Sequence, residues 1–302
     1  MNKLMCLIFF FALLNIENAF TQKLSIEEVD GGIRISEGNV PVLVYKTRES
    51  SPKAETGPFA FYVHPLYDLD GNILTEEFPK DHIHHRGVFW AWHQVFLGNK
   101  NLGDDWLGQD IRKSSVKLRS KANKRMARIV SVVNWKSDKL EDGQPFMREK
   151  TTVTAHVAGK GYRFVDFEIE LSALSDSLYL GGDKSDKGYG GFSTRVKMPE
   201  DIRFSGKQGL VEPKRTAVEA GDWLSVEASF NGKPSGLAII SHQDNPGNPQ
   251  PWILRKKNSM QNVVWPGKDK VFIPKGKSVK LKYRLVIYEG DLPSEVLTER
   301  FL

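Results

Sequence analysis

The chain has 302 residues and a single cysteine, Cys6. It lies inside a short apolar run over residues 4–14, behind a positive Lys3 and ahead of the small residues Ala19 and Thr21. That pattern reads as a secretory signal peptide over residues 1–21, cleaved before Gln22. The run is too short to span a bilayer comfortably, and Cys6 lies too early in it to be a lipidated cysteine. The mature segment, residues 22–302, then has no cysteine at all. Disulfides, thiolate metal sites and cysteine nucleophiles are excluded with it. No later stretch is long and apolar enough to cross a membrane, so a periplasmic or secreted product without a membrane partner is expected. Also missing are proline- or serine-rich linkers, low-complexity tracts and internal repeats. One domain over residues 22–302 is the economical reading.

Charge is unevenly spread. The net charge is +6, and Lys3 and Glu17 cancel within the leader, so the mature value is the same. Residues 112–128 carry eight basic side chains and no acidic one. Such a run is either a solvated strand face or an attractor for a polyanion. Outside the cytoplasm an acidic polysaccharide suits it better than nucleic acid.

Helical patterning is scarce, and alternation at period two is abundant. Examples are VLVYK (42–46), RIVSVVNW (128–135), RFVDFEIELSA (163–173), SGLAIISH (235–242) and SVKLKYRLVIY (278–288). This is the mark of half-buried strands. Turn signals such as Asp70-Gly71-Asn72 and Pro274-Lys275-Gly276 separate them. The expected fold is all-β: an antiparallel β-sandwich of the jelly-roll or supersandwich kind, with two facing sheets, a concave side and little helix. One short helix is expected in residues 293–301, where Pro293 suits a first turn.

Histidines are few and crowded. Of seven in the chain, five (His64, His82, His84, His85 and His93) fall in residues 64–93, around the core DHIHHRG. If residues 85–93 are a strand, His85, Phe89 and His93 share one face, and Arg86, Val88, Trp90 and Trp92 take the other. A bend at His84-His85 would merge the histidines of both faces. Three readings compete. His-x-His with a third imidazole suits a metal; this is left open, and no metal or other cofactor is assigned. Histidine also titrates near neutral pH and serves proton transfer, and Arg86 beside it suits a bidentate carboxylate clamp. The third reading is a set of histidines hydrogen-bonded in a polar core.

Weaker candidates lie elsewhere. Tyr189 sits among glycines in GYGGFSTR, a turn able to bring a phenol into a cleft, with Arg195 on the strand that follows. His242 opens the rigid HQDNPGNPQPW loop that closes on Trp252. Tyr62 shares the parity of His64. Trp265 suits either core or platform. His156 lies in a regular alternating strand and reads as exposed.

Four segments together resemble one family: residues 62–92 with DHIHHRG, GYGGFSTRV (188–196), GLAIISHQDNPGNPQPW (236–252) and residues 264–290. They look like DUF6807, sometimes labelled a methane-oxygenase family. That label is set aside, because the oxygenase subunit is an integral membrane protein. The resemblance implies a β-sandwich protein encoded among carbohydrate-degradation genes of marine Bacteroidetes, some of them similar to ulvan-oligosaccharide dehydratases. It implies loss of water from the terminal uronate of an acidic oligosaccharide, leaving a 4,5-unsaturated sugar. Such an elimination needs carboxylate neutralisation, a base for the C5 proton and an acid for the C4 hydroxyl. Arg86 is assigned the carboxylate, with Arg195 in reserve. His85 or His64 is assigned the base, and Tyr189 or another histidine the acid. Tyr62, His82, His84, His93, Arg195, His242 and Trp252 are expected to bind substrate. The alternatives are a glycoside hydrolase, which needs two apposed carboxylates, and a non-catalytic or metal-binding module for acidic polysaccharides. Oligomeric state is left open.

Overall fold

The computed structural model describes residues 23–51, 57–230 and 232–298. The segment read as a signal peptide lies outside the described residues. The chain folds into three antiparallel sheets of eight, nine and four strands. Helix is confined, among the described residues, to Ser294–Thr298. No helix there is long and apolar enough to cross a membrane.

The nine-stranded sheet is built from the long alternating segments. Its centre is Lys233–Ser241, Ser278–Glu289, Tyr162–Ala173, Met147–His156 and Met126–Ser137. Along Tyr162–Ala173 the period is strict. Val165, Phe167, Ile169 and Leu171 are buried, while Phe164, Asp166, Glu168 and Glu170 stay half-exposed on the other face. The basic run begins in Ile111–Ala122, the outer edge strand of this sheet, which is exposed along most of its length.

The eight-stranded sheet begins with the meander Leu24–Val29, Gly32–Glu37, Val40–Lys46 and continues through Tyr62–Leu66, Val88–Ala91 and Gly191–Thr194. The two large sheets face each other across one core. Phe192 stacks on Tyr283 at 4.4 Å between centroids, and Trp90 meets Phe167 at 6.3 Å. A buried carboxylate ties the sheets as well. Glu149 accepts the indole N–H of Trp90 at 2.8 Å and of Trp135 at 3.0 Å, and the Thr151 hydroxyl at 2.8 Å. Three donors meet the hydrogen-bonding demand of a carboxylate that is 1% exposed.

The third sheet differs from the two-layer expectation. Gln94–Leu97, Lys100–Gly103, Leu178–Gly181 and Val271–Ile273 form a separate four-stranded patch. Its side chains Val95, Leu102, Leu178, Leu180 and Ile273 join the main core, so it closes one end of the sandwich. Trp265 and Trp252 are core residues, at 4% and 0% exposure.

Candidate functional site

Val88–Ala91 divides its side chains between two environments. Val88 and Trp90 enter the main core. Phe89 and Ala91 join a second apolar cluster with Phe59, Tyr62, Trp106, Ile253, Met260 and Val264. The alternation expected from the sequence holds here, but it fails at Arg86. Gly87 has φ of +58°, and a Cβ there would lie 2.1 Å from the Val63 carbonyl oxygen. Only glycine takes that conformation without strain at such a close approach. The chain turns at this point, so Arg86 leaves the Trp90 side. Its guanidinium instead lies over Phe59 at 4.2 Å and Phe89 at 4.7 Å.

The DHIHH segment is a turn standing on a hydrogen-bonded base. Phe78 N–H donates to the His85 carbonyl at 2.8 Å, and Gly87 N–H to that of Glu76 at 2.8 Å. Within the turn, His85 N–H donates to the His82 carbonyl at 2.9 Å. This bend gathers the imidazoles. His82 and His85 stack with centroids 4.5 Å apart and planes 1° apart. His84 stands edge-on to both, at 5.8 and 4.8 Å.

Trp106 connects this turn to the rest of the site. Its ring lies 6.4 Å from His84, 6.0 Å from His85, 5.2 Å from His93 and 5.0 Å from Tyr189. His93 and Tyr189 meet edge to face at 5.0 Å. Three histidines and one tyrosine therefore surround one indole, and His82 joins them through its stack on His85.

The imidazoles fall into two kinds. His82 and His93 are backed by carboxylates: their Nδ1 atoms lie 2.8 Å from Asp81 and 2.8 Å from Asp104. Asp81 is also bound by Arg195 at 3.0 Å. Burial alone would raise its pKa, but the bonds from His82 and Arg195 outweigh that and hold it below the usual carboxylate range. His84 and His85 have no carboxylate partner. Burial lowers the pKa of His84 to about 3, reinforced by the charge of Arg86 and the neighbouring histidines. Burial likewise pushes His85 far down, with His84, His82, Arg195 and Arg86 adding to it. Both are neutral imidazoles at physiological pH. His84 is half-buried and its ring makes no hydrogen bond among the described residues, so its ring nitrogens are uncommitted. The Tyr189 phenol is raised to about 12 by burial and by Asp183 and Asp104, and so keeps its proton.

The two arginines are buried alongside. Arg86, pushed down to about 10 by burial, donates to the His84 carbonyl at 2.9 Å, and its Nε has no partner. Arg195 is 2% exposed and joins Glu76 at 2.8 Å as well as Asp81.

Other sequence candidates make contacts of their own, with Tyr62 still inside the Trp106 apolar cluster. His64 lies one strand over, with Nδ1 3.0 Å from the Thr75 hydroxyl, and burial lowers its pKa. Tyr62 donates to Glu77 at 2.7 Å. His242 is at the end of Lys233–Ser241, its N–H bonded to the Lys282 carbonyl on the nine-stranded sheet. Trp252 is fully buried, its indole donating to the Gly221 carbonyl at 3.0 Å. His156, expected to be exposed, is half-buried and bonded to Asp166 at 2.8 Å.

Sequence reasoning missed Trp106, the pairing of Asp104 with His93, and Glu76. The only signal for Trp106 and Asp104 was the acidic-aromatic string GDDWLG (103–108), which carries no periodicity, and Glu76 had none. Among the described residues, no three histidine or carboxylate side chains converge as a metal-ligand set. The stacking of His82 on His85 accounts for part of this, because lone pairs lying in parallel ring planes do not point at one ion.

A family model described as a family of unknown function, DUF6807, matches residues 32–301. The chain belongs to this family. No match is found among curated proteins. The match covers nearly the whole described domain and includes the Trp106-centred cluster.

Proposed function

We propose that this DUF6807 protein is a hydro-lyase that removes water from the terminal uronate of acidic oligosaccharides of the ulvan type. The reading is supported chiefly by one observation: an uncommitted, neutral His84 and a protonated Tyr189 both pack against Trp106 in a single aromatic cluster. Elimination needs that pair of protonation states. His84 takes the C5 proton, and the electron pair of that bond becomes the C4=C5 double bond. The C4 hydroxyl departs as water with the proton of Tyr189. His93, oriented by Asp104, stands against Tyr189 as the group able to return that proton.

The base assignment moves from His85 or His64 to His84. His85 is 2% exposed, and the Nδ1 of His64 is engaged by the Thr75 hydroxyl. Arg86 and Arg195 also take a changed role. Neither presents its guanidinium openly, but both act electrostatically on the imidazoles. Fixed positive charge at that depth favours the negative charge that develops on the uronate carboxylate during proton loss. The hydrolase alternative is less well served, because Asp81 and Asp104 are each engaged by an imidazole. The leader pattern supports export to the periplasm or beyond.

The test is direct. Purified protein is incubated with saturated, uronate-terminated ulvan oligosaccharides, following ultraviolet absorbance and product mass. Loss of one water with rising absorbance is expected. Unchanged mass and absorbance across the panel would sink the reading.

A further inference from the structure

An open groove of about 460 Å³ is lined by Lys187, Glu212, Lys214, Arg215, Arg255 and Lys256 among others. Five of these six side chains are cationic. Glu212 is occupied by Lys256 at 2.9 Å. Arg215 reaches only Asp186, at 3.9 Å with both side chains largely exposed, a contact worth little in water. Lys187 and Lys214 form no ion pair.

Arg255 is the built element of this groove. Its guanidinium donates to three carbonyls, those of Lys214 at 2.8 Å, Leu254 at 2.7 Å and Arg215 at 2.9 Å. Carbonyls fix its plane without cancelling its charge. Its backbone is braced in turn by Gln261, which accepts from Arg255 N–H at 2.9 Å and donates to the Arg255 carbonyl at 2.9 Å. The groove neighbours the aromatic cluster: Ile253, next to the lining Leu254, packs in the Trp106 cluster, and Arg255 acts electrostatically on Tyr189.

We propose that this groove is an oxyanion subsite, holding a sulfate ester or carboxylate on the sugar residues next to the ring that sits at the histidine cluster. The proposal rests on the reading of that cluster as the place where the terminal uronate binds. A preformed guanidinium with flexible lysines around it suits planar or tetrahedral oxyanions at the end of a flexible glycan. The groove thereby selects acidic oligosaccharides over neutral ones.

The experiment is calorimetric titration of the full chain with three uronate-terminated oligosaccharides. One carries sulfate esters, one is desulfated, and one is desulfated with its internal carboxyls reduced. The first variant is Lys214→Glu with Arg215→Glu, both exposed positions. The second, Lys117→Glu with Arg119→Glu, makes the same charge change on the exposed edge strand. The groove variant is expected to lose roughly ten- to hundredfold in affinity for the anionic ligands, from loss of charged hydrogen bonds. Its affinity for the reduced ligand should hold, and the edge variant should match wild type throughout. Loss confined to the sulfated ligand identifies a sulfate subsite; loss for the desulfated ligand as well identifies a carboxylate one. Equal affinities in wild type and groove variant, equal losses in both variants, or no binding by wild type each overturn the subsite. Turnover separates the two readings. If the groove variant weakens binding but wild type never releases water, the dehydratase reading falls and the subsite stands. If wild type releases water while the groove variant binds normally, the subsite falls alone.

Discussion

Two clusters of histidine, aspartate and arginine stand in different sheets, and they are finished differently. On the nine-stranded sheet, Asp166 meets His156 at 2.8 Å and Arg284 in a bidentate pair at 2.6 and 2.9 Å. Arg284 also lies over Phe164 at 4.2 Å. Here the histidine and the arginine share one carboxylate between them. In the DHIHHRG cluster, two imidazoles have carboxylates and two do not, and His85 Nδ1, His93 Nε2 and Arg86 Nε are buried without partners. Buried polar atoms left unsatisfied cost stability, and a fold retains them where a ligand or reaction uses them. On the proposed reading the first cluster is structural and the second chemical, although their residue types are nearly the same. The outer face around Asp166 forms a groove of about 520 Å³, so concavity alone does not separate them.

The sharpest way to break this contrast is at His84. His84→Ala and Tyr189→Phe should each lower turnover by roughly 10²- to 10⁴-fold, the usual worth of a positioned acid or base. Neither should unfold the protein, and thermal melts alongside the absorbance assay check both points. At the finished cluster the prediction reverses. Asp166→Ala leaves Arg284 buried without its carboxylate, and should cost about 3–5 kcal/mol in urea unfolding, with turnover by the folded fraction unaltered.

Gly87→Ala should be intermediate. A methyl group facing the Val63 carbonyl at a positive φ strains the base of the histidine turn. A loss of about 1–3 kcal/mol is expected, with turnover reduced because the turn carries His84.

Acid sharpens the comparison further, in two windows. His84 and His85 have folded pKa values below their unfolded ones. Their contribution is complete above the unfolded value of about 6.5 and declines as pH falls, since the unfolded chain takes up protons that the folded one refuses. Asp166 is held low by Arg284 and His156 against the opposing effect of burial. Its contribution is complete above the unfolded value of about 3.9 and is lost as pH falls through the lower folded one. Urea midpoints measured from pH 8 to 3 should therefore decline in two stages. His84→Ala should soften the first and leave the second.

Much of the sandwich was legible because its period is long and clean. Segments such as residues 163–173 bury every second side chain, and only a strand does so. The third sheet was not legible: its strands are three or four residues long, too short to show a period. In the site, the crowding of histidines was plain from the sequence, and so was the Gly-rich approach to Tyr189. Which imidazoles would be neutral was not, because that depends on carboxylates placed by folding. Asp104 is eleven residues from His93 in sequence. The displacement of Arg86 was also hidden, since period-two reasoning assumes a continuous strand and Gly87 interrupts it. Trp252 and His242 looked alike in one rigid loop, yet the first packs the core and the second borders the other sheet.

The edge strand Ile111–Ala122 has a bearing on how the molecule behaves in solution. Val116 and Leu118 are 51% and 38% exposed, and they sit among Lys117, Arg119 and Lys121. An open sheet edge is a template for another strand, and lysines along it are a standing deterrent. That deterrent is electrostatic and therefore soluble in salt: its range is about 10 Å at 0.1 M and about 3 Å at 1 M ionic strength. Pairing of copies along this edge is thus expected to depend on ionic strength. Dilute buffer keeps copies apart, and brine brings their edges within reach of each other.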